Sequence, residues 1–206
     1  PLRLVGSEMC IRDRAAVMTG LPDESFIRAD IPMTKREIRA SVVSRLSPAK
    51  DAIVYDIGAG TGSVSVELAM HALYGTVYAV ERKKEGCELI AQNARKFGLD
   101  NIDIINASAA DVIEKLPAAD SVFIGGSGGE LEKIMDIVLK KNPGVHIVIT
   151  AVTLETLNDS VRLMEDKKVD VIDIVQIAVT QIKKRGRYHM LAANNPVFII
   201  EGRGNG

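Results

Sequence analysis

From residue 34 onward the chain alternates two apolar rhythms. Short, Val- and Ile-rich runs at 53–57, 76–80, 102–105, 121–124 and 145–151 are mostly apolar, the pattern of strands buried on both faces of a parallel sheet. Between them, stretches at about 63–73, 84–97, 109–116, 129–141 and 154–167 repeat their apolar positions at helical spacing. A further helix precedes the first run. Thr34 and Glu37 form a capping-box pattern, and Ile38, Val42 and Leu46 follow at intervals of four. Gly98 supplies the stop signal expected after the helix at 84–97. The rhythm then changes. Residues 171–182 and 190–200 are two long strand-like runs joined by the charged KKRGRYH, which predicts a terminal antiparallel hairpin. Five crossover-linked strands and two more make an α/β fold: a Rossmann-like, doubly wound, seven-stranded, mostly parallel sheet with a C-terminal antiparallel hairpin, whose ligands bind at the carboxyl ends of the strands.

Residues 1–17 stand apart. PLRLVGSEMCIRDR shows neither period, and the text changes character at Met18-Thr-Gly-Leu-Pro-Asp23. The segment resembles translated adapter sequence, so 1–17 is expected to be a non-native or disordered tail and 18–206 one domain. Composition agrees with a single domain: 206 residues, 47% hydrophobic and 26% charged, bury one α/β core. A net charge of -1 creates no field that would gather nucleic acid or an anionic membrane. There is no apolar run of membrane-spanning length and no signal-type leader, so a cytoplasmic location is expected. Two cysteines exclude a disulfide framework and a Cys-based zinc site, and no metal site is expected. Cys87 shares a helical face with Ile90, Ala91 and Ala94 and is read as a small core residue.

The candidate chemistry begins at Ile53–Ala69, IVYDIGAGTGSVSVELA. Glycines 58, 60 and 62 between a strand and a helix let backbone N–H groups and a helix N-terminus approach a ligand. Ser63 stands where the dinucleotide fingerprint has its third glycine, and Asp56 ends the strand two residues before the first. A carboxylate there suits a cofactor carrying an ammonium group, not a pyrophosphate. The next strand ends in Glu81, nineteen residues after Gly62, where a carboxylate meets ribose hydroxyls. GxGxG alone is weak, but strand, Asp, glycine turn, helix, strand and Glu in that order point to S-adenosyl-L-methionine.

These residues resemble the class I S-adenosylmethionine-dependent methyltransferases. Three further stretches are more specific: Ile31-Pro-Met-Thr-Lys-Arg-Glu37, Phe123-Ile-Gly-Gly-Ser-Gly-Gly129, and the pair Gly186-Arg-Tyr-His-Met-Leu191 and Asn195-Pro-Val-Phe-Ile199. From about Leu21 to the end they resemble the CbiT-type (cobalt-)precorrin-6B carbon-15 methyltransferases (decarboxylating) of cobalamin biosynthesis. The resemblance implies methylation of a ring carbon of a tetrapyrrole with loss of carbon dioxide from a neighbouring acetate. It implies cofactor contacts from Thr34, Asp56, Gly58, Ala59, Gly60, Thr61, Gly62, Glu81 and Ala107. For the substrate it implies Gly125, Gly126, Ser127, Gly128, Gly129 and Arg187. It further implies a homotetramer and, for a free-standing chain, a separate carbon-5 precorrin methyltransferase as functional partner. One departure concerns adenine: Asn106-Ala-Ser-Ala-Ala110 stands where relatives often carry glycine followed by an acidic residue, and Ser108 supplies no carboxylate.

The polycarboxylate substrate needs cations. Lys183, Lys184, Arg185 and Arg187 cluster in the hairpin, and Arg28, Lys35, Arg36 and Arg39 around the first helix; either set suits carboxylate pairing, with a solvated edge as the bland alternative for Lys183 and Lys184. No general base is assigned. His71 and His146 are expected to be structural, while His189 lies in the hairpin. Three other readings compete. A class I methyltransferase acting on another small molecule, RNA or protein shares Asp56–Gly62, though an RNA enzyme carries a basic footprint missing here. A nicotinamide dehydrogenase wants the spacing that Ser63 breaks, and a non-catalytic scaffold would lose the glycines.

Overall fold

A computed structural model describes residues 19–206. The expectations for residues 1–17, Met18 and Cys10 lie outside the described residues. In chain order the elements are α1 (Arg36–Leu46), β1 (Ile53–Ile57), α2 (Ser63–His71), β2 (Thr76–Glu81), α3 (Lys84–Lys96), β3 (Ile102–Asn106), α4 (Ala109–Val112), β4 (Ser121–Ile124), α5 (Leu131–Lys141), β5 (His146–Ala151), α6 (Leu154–Asp166), β6 (Val169–Ile177), β7 (Thr180–Arg185), β8 (Tyr188–Ala193) and β9 (Val197–Gly204).

Seven strands form one sheet in the order β3-β2-β1-β4-β5-β9-β6, with β1 to β5 parallel and β9 antiparallel to both its neighbours. Strand order reverses at β1/β4, so a crevice opens there at the carboxyl ends. Alternation along each strand feeds two cores. Tyr55 and Ile57 join Ile124, Ile134 and Ile149 on the face covered by α4, α5 and α6. Val54, Val77 and Phe123 face α1 and α2 with Ile38, Val42, Val64 and Leu68. Helix α2 is buried along nearly its whole length because Leu21 and Phe26 pack outside it against Val66. The seven described residues from Ser63 to Ala69 are therefore all buried, polar ones included.

Several local expectations are corrected. The capping box does not form: α1 starts at Arg36 with Lys35 as N-cap and no capping side chain, while the Thr34 carbonyl accepts from Arg39 Nη1 at 2.7 Å. The predicted 109–116 helix is one turn of α4 followed by a 3₁₀ turn. Cys87 is half-buried, its Sγ against the Glu81 carbonyl oxygen at 3.3 Å, and so is no core residue. Gly98 has the left-handed conformation expected of a helix stop, φ +67°.

The terminal runs also differ from one plain hairpin. Each long run breaks in two: β6 and β9 stay in the main sheet, whereas β7 and β8 form a separate two-stranded ribbon. Between the pairs Ile177↔Val197 and Thr180↔Ala193, Ala178 and Val179 stand against Asn194, Asn195 and Pro196. Unequal lengths bend a ladder, and Pro196 has no N–H to continue it. Because Phe198 pairs with Ala151, the last residue of β5, the ribbon leaves the sheet at the carboxyl ends of the parallel strands. No helix among the described residues is long and apolar enough to cross a membrane.

Candidate active site

At the end of β1 the chain turns through Gly58, Gly60 and Gly62, all with positive φ (+74°, +56°, +75°). Glycine is required at the first for a second reason. A Cβ on Gly58 would lie 2.5 Å from the Gly126 carbonyl oxygen and 2.8 Å from its nitrogen, so two glycine loops touch backbone to backbone. The N–H groups of Gly58 and Ala59 both donate to the Val80 carbonyl (2.9 and 3.2 Å), which locks the turn to β2.

Glu81 completes that lock. One carboxylate oxygen accepts from the Gly60 N–H (2.9 Å) and the other from the Lys83 N–H (2.8 Å). A carboxylate has about four acceptor sites, so two bonds orient it and leave acceptors for hydroxyl groups. Asn106, at the end of β3, donates to the carbonyls of Glu81 and Arg82 at 3.0 Å each, holding the backbone that carries the carboxylate.

The resulting cleft has a volume of about 220 Å³. Gly58, Gly60, Glu81 and Ala107 line it, as do Gly126, Ser127 and Gly128 of the second loop. Ile31, Pro32, Arg82, Lys83, Ser108 and Glu130 are also among its lining residues. Sequence reasoning missed Arg82, Lys83 and Glu130. The first two follow Glu81 directly and could have been read from that adjacency, whereas Glu130 is 22 residues from its partner Ser108, and no local pattern pairs them. It also missed Asn93, fully buried, whose amide nitrogen donates to the Thr61 carbonyl (2.9 Å) and which bonds Ile27 through both its amide atoms.

Other expected cofactor residues sit elsewhere. Thr34 does not line the cleft; Ile31 and Pro32 from the same stretch do. Asp56 shares the face of β1 with Val54, under α2, and is fully buried there. Ser65 Oγ donates to its Oδ2 at 2.5 Å, while Oδ1 and the Thr61 hydroxyl are buried without a partner among the described residues. Burial pushes the Asp56 carboxyl up to about 7, against the opposing Ser65 hydrogen bonds. Gly62 does not line the cleft, and a Cβ added to it would lie 2.9 Å from Ile90 Cγ1 of α3.

A second cleft, about 260 Å³, opens on the far side of the 125–129 loop. Thr150, Val152 and Thr156 form its other wall, and Val152 and Leu154 are exposed apolar residues beside it. Residues 125–129 thus separate two depressions. Arg187 reaches neither: it sits at the ribbon tip, exposed, its guanidinium 5.0 Å from the Tyr188 ring centroid and bonded to the Tyr188 hydroxyl (2.7 Å). Lys183, Lys184, Arg185 and His189 share the exposed ribbon. Arg39 is corrected outright as a substrate cation, being wholly buried with Glu67. His71 bonds Thr19 (2.9 Å) and His146 bonds Glu201 (3.0 Å), the structural places expected of them.

The donor set fits an adenosine cofactor: glycine backbone no side chain obstructs, an oriented carboxylate with acceptor capacity at the end of β2, and a partnerless carboxyl oxygen behind the turn. Residues 25–202 match the precorrin methyltransferase domain family. A Pyrobaculum calidifontis protein, named a probable cobalt-precorrin-6B C(15)-methyltransferase (decarboxylating), is 40% identical over 88% of this chain and 94% of its own. The Geobacter metallireducens precorrin-6Y C5,15-methyltransferase structure superposes with a TM-score of 0.84 at 37% identity, covering 90% of this chain and 97% of the other. The precorrin-8W decarboxylase of Methanobacterium thermoautotrophicum does so at 0.83 and 33%, covering 88% and 98%.

Proposed function

The chain belongs to the precorrin methyltransferase family, and on that premise we propose that it methylates carbon 15 of (cobalt-)precorrin-6B and removes carbon dioxide from the neighbouring acetate side chain, in cobalamin biosynthesis. The observation that carries this reading is the contact of two glycine loops, 58–62 and 125–129, around one cleft that also holds Glu81. Bound S-adenosyl-L-methionine supplies an activated sulfonium methyl. Gly58 and Gly60 offer the methionine portion open backbone, Glu81 accepts from the ribose hydroxyls, and Ala107 backs the adenine. Asp56 acts from behind, through Ser65 and the turn it supports.

The tetrapyrrole lies in the second cleft, its ring edge at the 125–129 loop and its apolar face toward Val152 and Leu154. The Gly125 and Gly126 N–H groups donate to the Ile57 carbonyl, so the N–H groups of Ser127, Gly128 and Gly129, together with Arg187 of the ribbon, would meet its carboxylates. The chain's main task is to hold methyl and ring carbon in line at about 3–3.5 Å. No side chain is needed as a strong base. The electron-rich ring carbon attacks unaided, and electrons released as the carboxylate leaves flow into the macrocycle. The ribbon also supports the homotetramer: Ile182 and Leu191 pair directly on one of its faces and expose 67% and 75% of their surface, an apolar strip that a second copy would cover.

The test is mass spectrometry of purified protein with S-adenosylmethionine and cobalt-precorrin-6B, with precorrin-6B in parallel. The expected product gains one methyl and loses one carbon dioxide. Cofactor binding with no mass change would return the substrate to the other class I possibilities.

A further inference from the structure

Ser108 occupies the position where a carboxylate was expected to meet adenine, and the fold brings one to it from elsewhere. Glu130, the residue before α5, lines the same cleft, and its carboxylate accepts a hydrogen bond from the Ser108 hydroxyl. The two come from separate segments, Ser108 at the exit of β3 and Glu130 just after the 125–129 loop. We propose that Glu130, oriented by Ser108, recognises the exocyclic amine of the adenine and makes the cofactor site selective for adenosine over its deaminated form.

The placement follows from strand order. β2 and β3 are neighbours, so a ribose held by Glu81 at the end of β2 directs its base toward the exit of β3, where Ala107 and Ser108 stand. Ser108 spends its one hydroxyl proton on Glu130 and keeps lone pairs facing the cleft. Among the described residues the Ser108 hydroxyl is the one hydrogen-bond donor to the Glu130 carboxylate. An amine, with two protons, satisfies both acceptors. The carbonyl oxygen that replaces it in hypoxanthine has no proton to give and would face a carboxylate, setting acceptor against acceptor at a half-buried position.

The inference rests on the adenosine-cofactor reading. The test is titration calorimetry of the full chain with S-adenosylhomocysteine and S-inosylhomocysteine, for the native protein, Glu130→Gln and Ser108→Ala. The native protein should bind the adenosyl compound at least about tenfold more tightly. Glu130→Gln, whose amide can donate to a carbonyl, should bring that ratio close to one, and Ser108→Ala should reduce it in part. A latch between two loops would alter both affinities together and leave the ratio alone. An unchanged ratio in Glu130→Gln, or equal native binding of the two compounds, overturns this inference and leaves the cofactor reading standing. Native protein that binds neither overturns both.

Discussion

Arg39 and Glu67 form an ion pair, Nε to Oε1 at 2.6 Å, in which neither side chain has any exposed surface. The pair is enclosed by a hydrogen-bond cage: Glu67 accepts from the N–H groups of Gly20 and Leu21, and Arg39 donates to the Thr34 and Leu21 carbonyls and lies 4.5 Å from the centre of the Phe26 ring. Glu67→Ala leaves the buried guanidinium with Asp23, whose Oδ1 lies 3.3 Å from Arg39 Nη1, as its one remaining carboxylate among the described residues. The expected loss in chemical denaturation is about 3 kcal/mol, the low end for a broken buried pair. Removing residues 1–17 keeps Gly20 and Leu21 and should leave the midpoint in place. Removing residues 1–21 takes away both backbone donors to Glu67 and leaves Arg39 Nε, and should cost a large part of the Glu67→Ala value. A full-size loss from the shorter deletion would show that 1–17 belong to the fold.

Asp56 sets a pH dependence. Its carboxyl is raised by burial from an ordinary value near 3.8 to about 7, so the fold favours the protonated form. Between these values the native state binds the proton more tightly than the unfolded chain. The contribution is full below about 4 and falls as pH rises to about 7, with a slope approaching about 1.4 kcal/mol per pH unit. Asp56→Asn keeps an acceptor for Ser65 without the ionisation. Denaturation midpoints from pH 4 to 8 should therefore fall less steeply in the variant; parallel curves would place the dependence on another group.

How far the sequence reached is clear from these residues. Strands β1, β2, β4 and β5 were legible because parallel strands buried on both faces are nearly continuous apolar runs; β3, a partly exposed edge strand, was legible from Ile102, Ile104 and Ile105, and Gly58–Gly62 with Glu81 because one βα unit spaces them. The buried role of Arg39 was not, since a charged residue in an amphipathic helix usually faces water, and its partner Glu67 is 28 positions away. The Glu130–Ser108 contact and the departure of the ribbon depend on tertiary placement, which local periodicity does not encode.

Two glycines separate stability from binding. Gly58→Ala puts a Cβ into Gly126 backbone at a positive φ and should cost about 2–5 kcal/mol. At Gly126 an added Cβ meets nothing within 4 Å, yet the residue lines both clefts. Gly126→Ala should keep its melting temperature while weakening S-adenosylhomocysteine or tetrapyrrole binding. A Gly126→Ala protein that loses stability would refute the separation.

Glu81→Gln is not a conservative change here. Both oxygens of Glu81 accept from backbone N–H groups, and an amide nitrogen at either place sets donor against donor at Gly60 or Lys83. Cofactor affinity should fall by about 1.5–3 kcal/mol for each charge-assisted bond lost, roughly tenfold to a hundredfold or more in Kd by calorimetry. Retained affinity in Glu81→Gln would move the ribose contact to another residue.

Arg187→Ala tests whether the ribbon serves the substrate or the cofactor. The ribbon that carries it leaves the sheet at the ligand end, between Ile177 and Val197, and is exposed almost throughout. Its tip therefore adds little to the core, and Arg187→Ala should not shift the melting temperature. Its guanidinium is held by Tyr188 alone among the described residues, by a stack and one hydrogen bond, and keeps donors free for a carboxylate. Losing one such charge-assisted contact should raise KM for the tetrapyrrole about tenfold, with KM for S-adenosylmethionine nearly constant. Arg187→Lys should recover only part of the loss, because a point charge replaces a fork. The opposite pattern, a raised cofactor KM with an unchanged tetrapyrrole KM, would put Arg187 at the first cleft instead of the second.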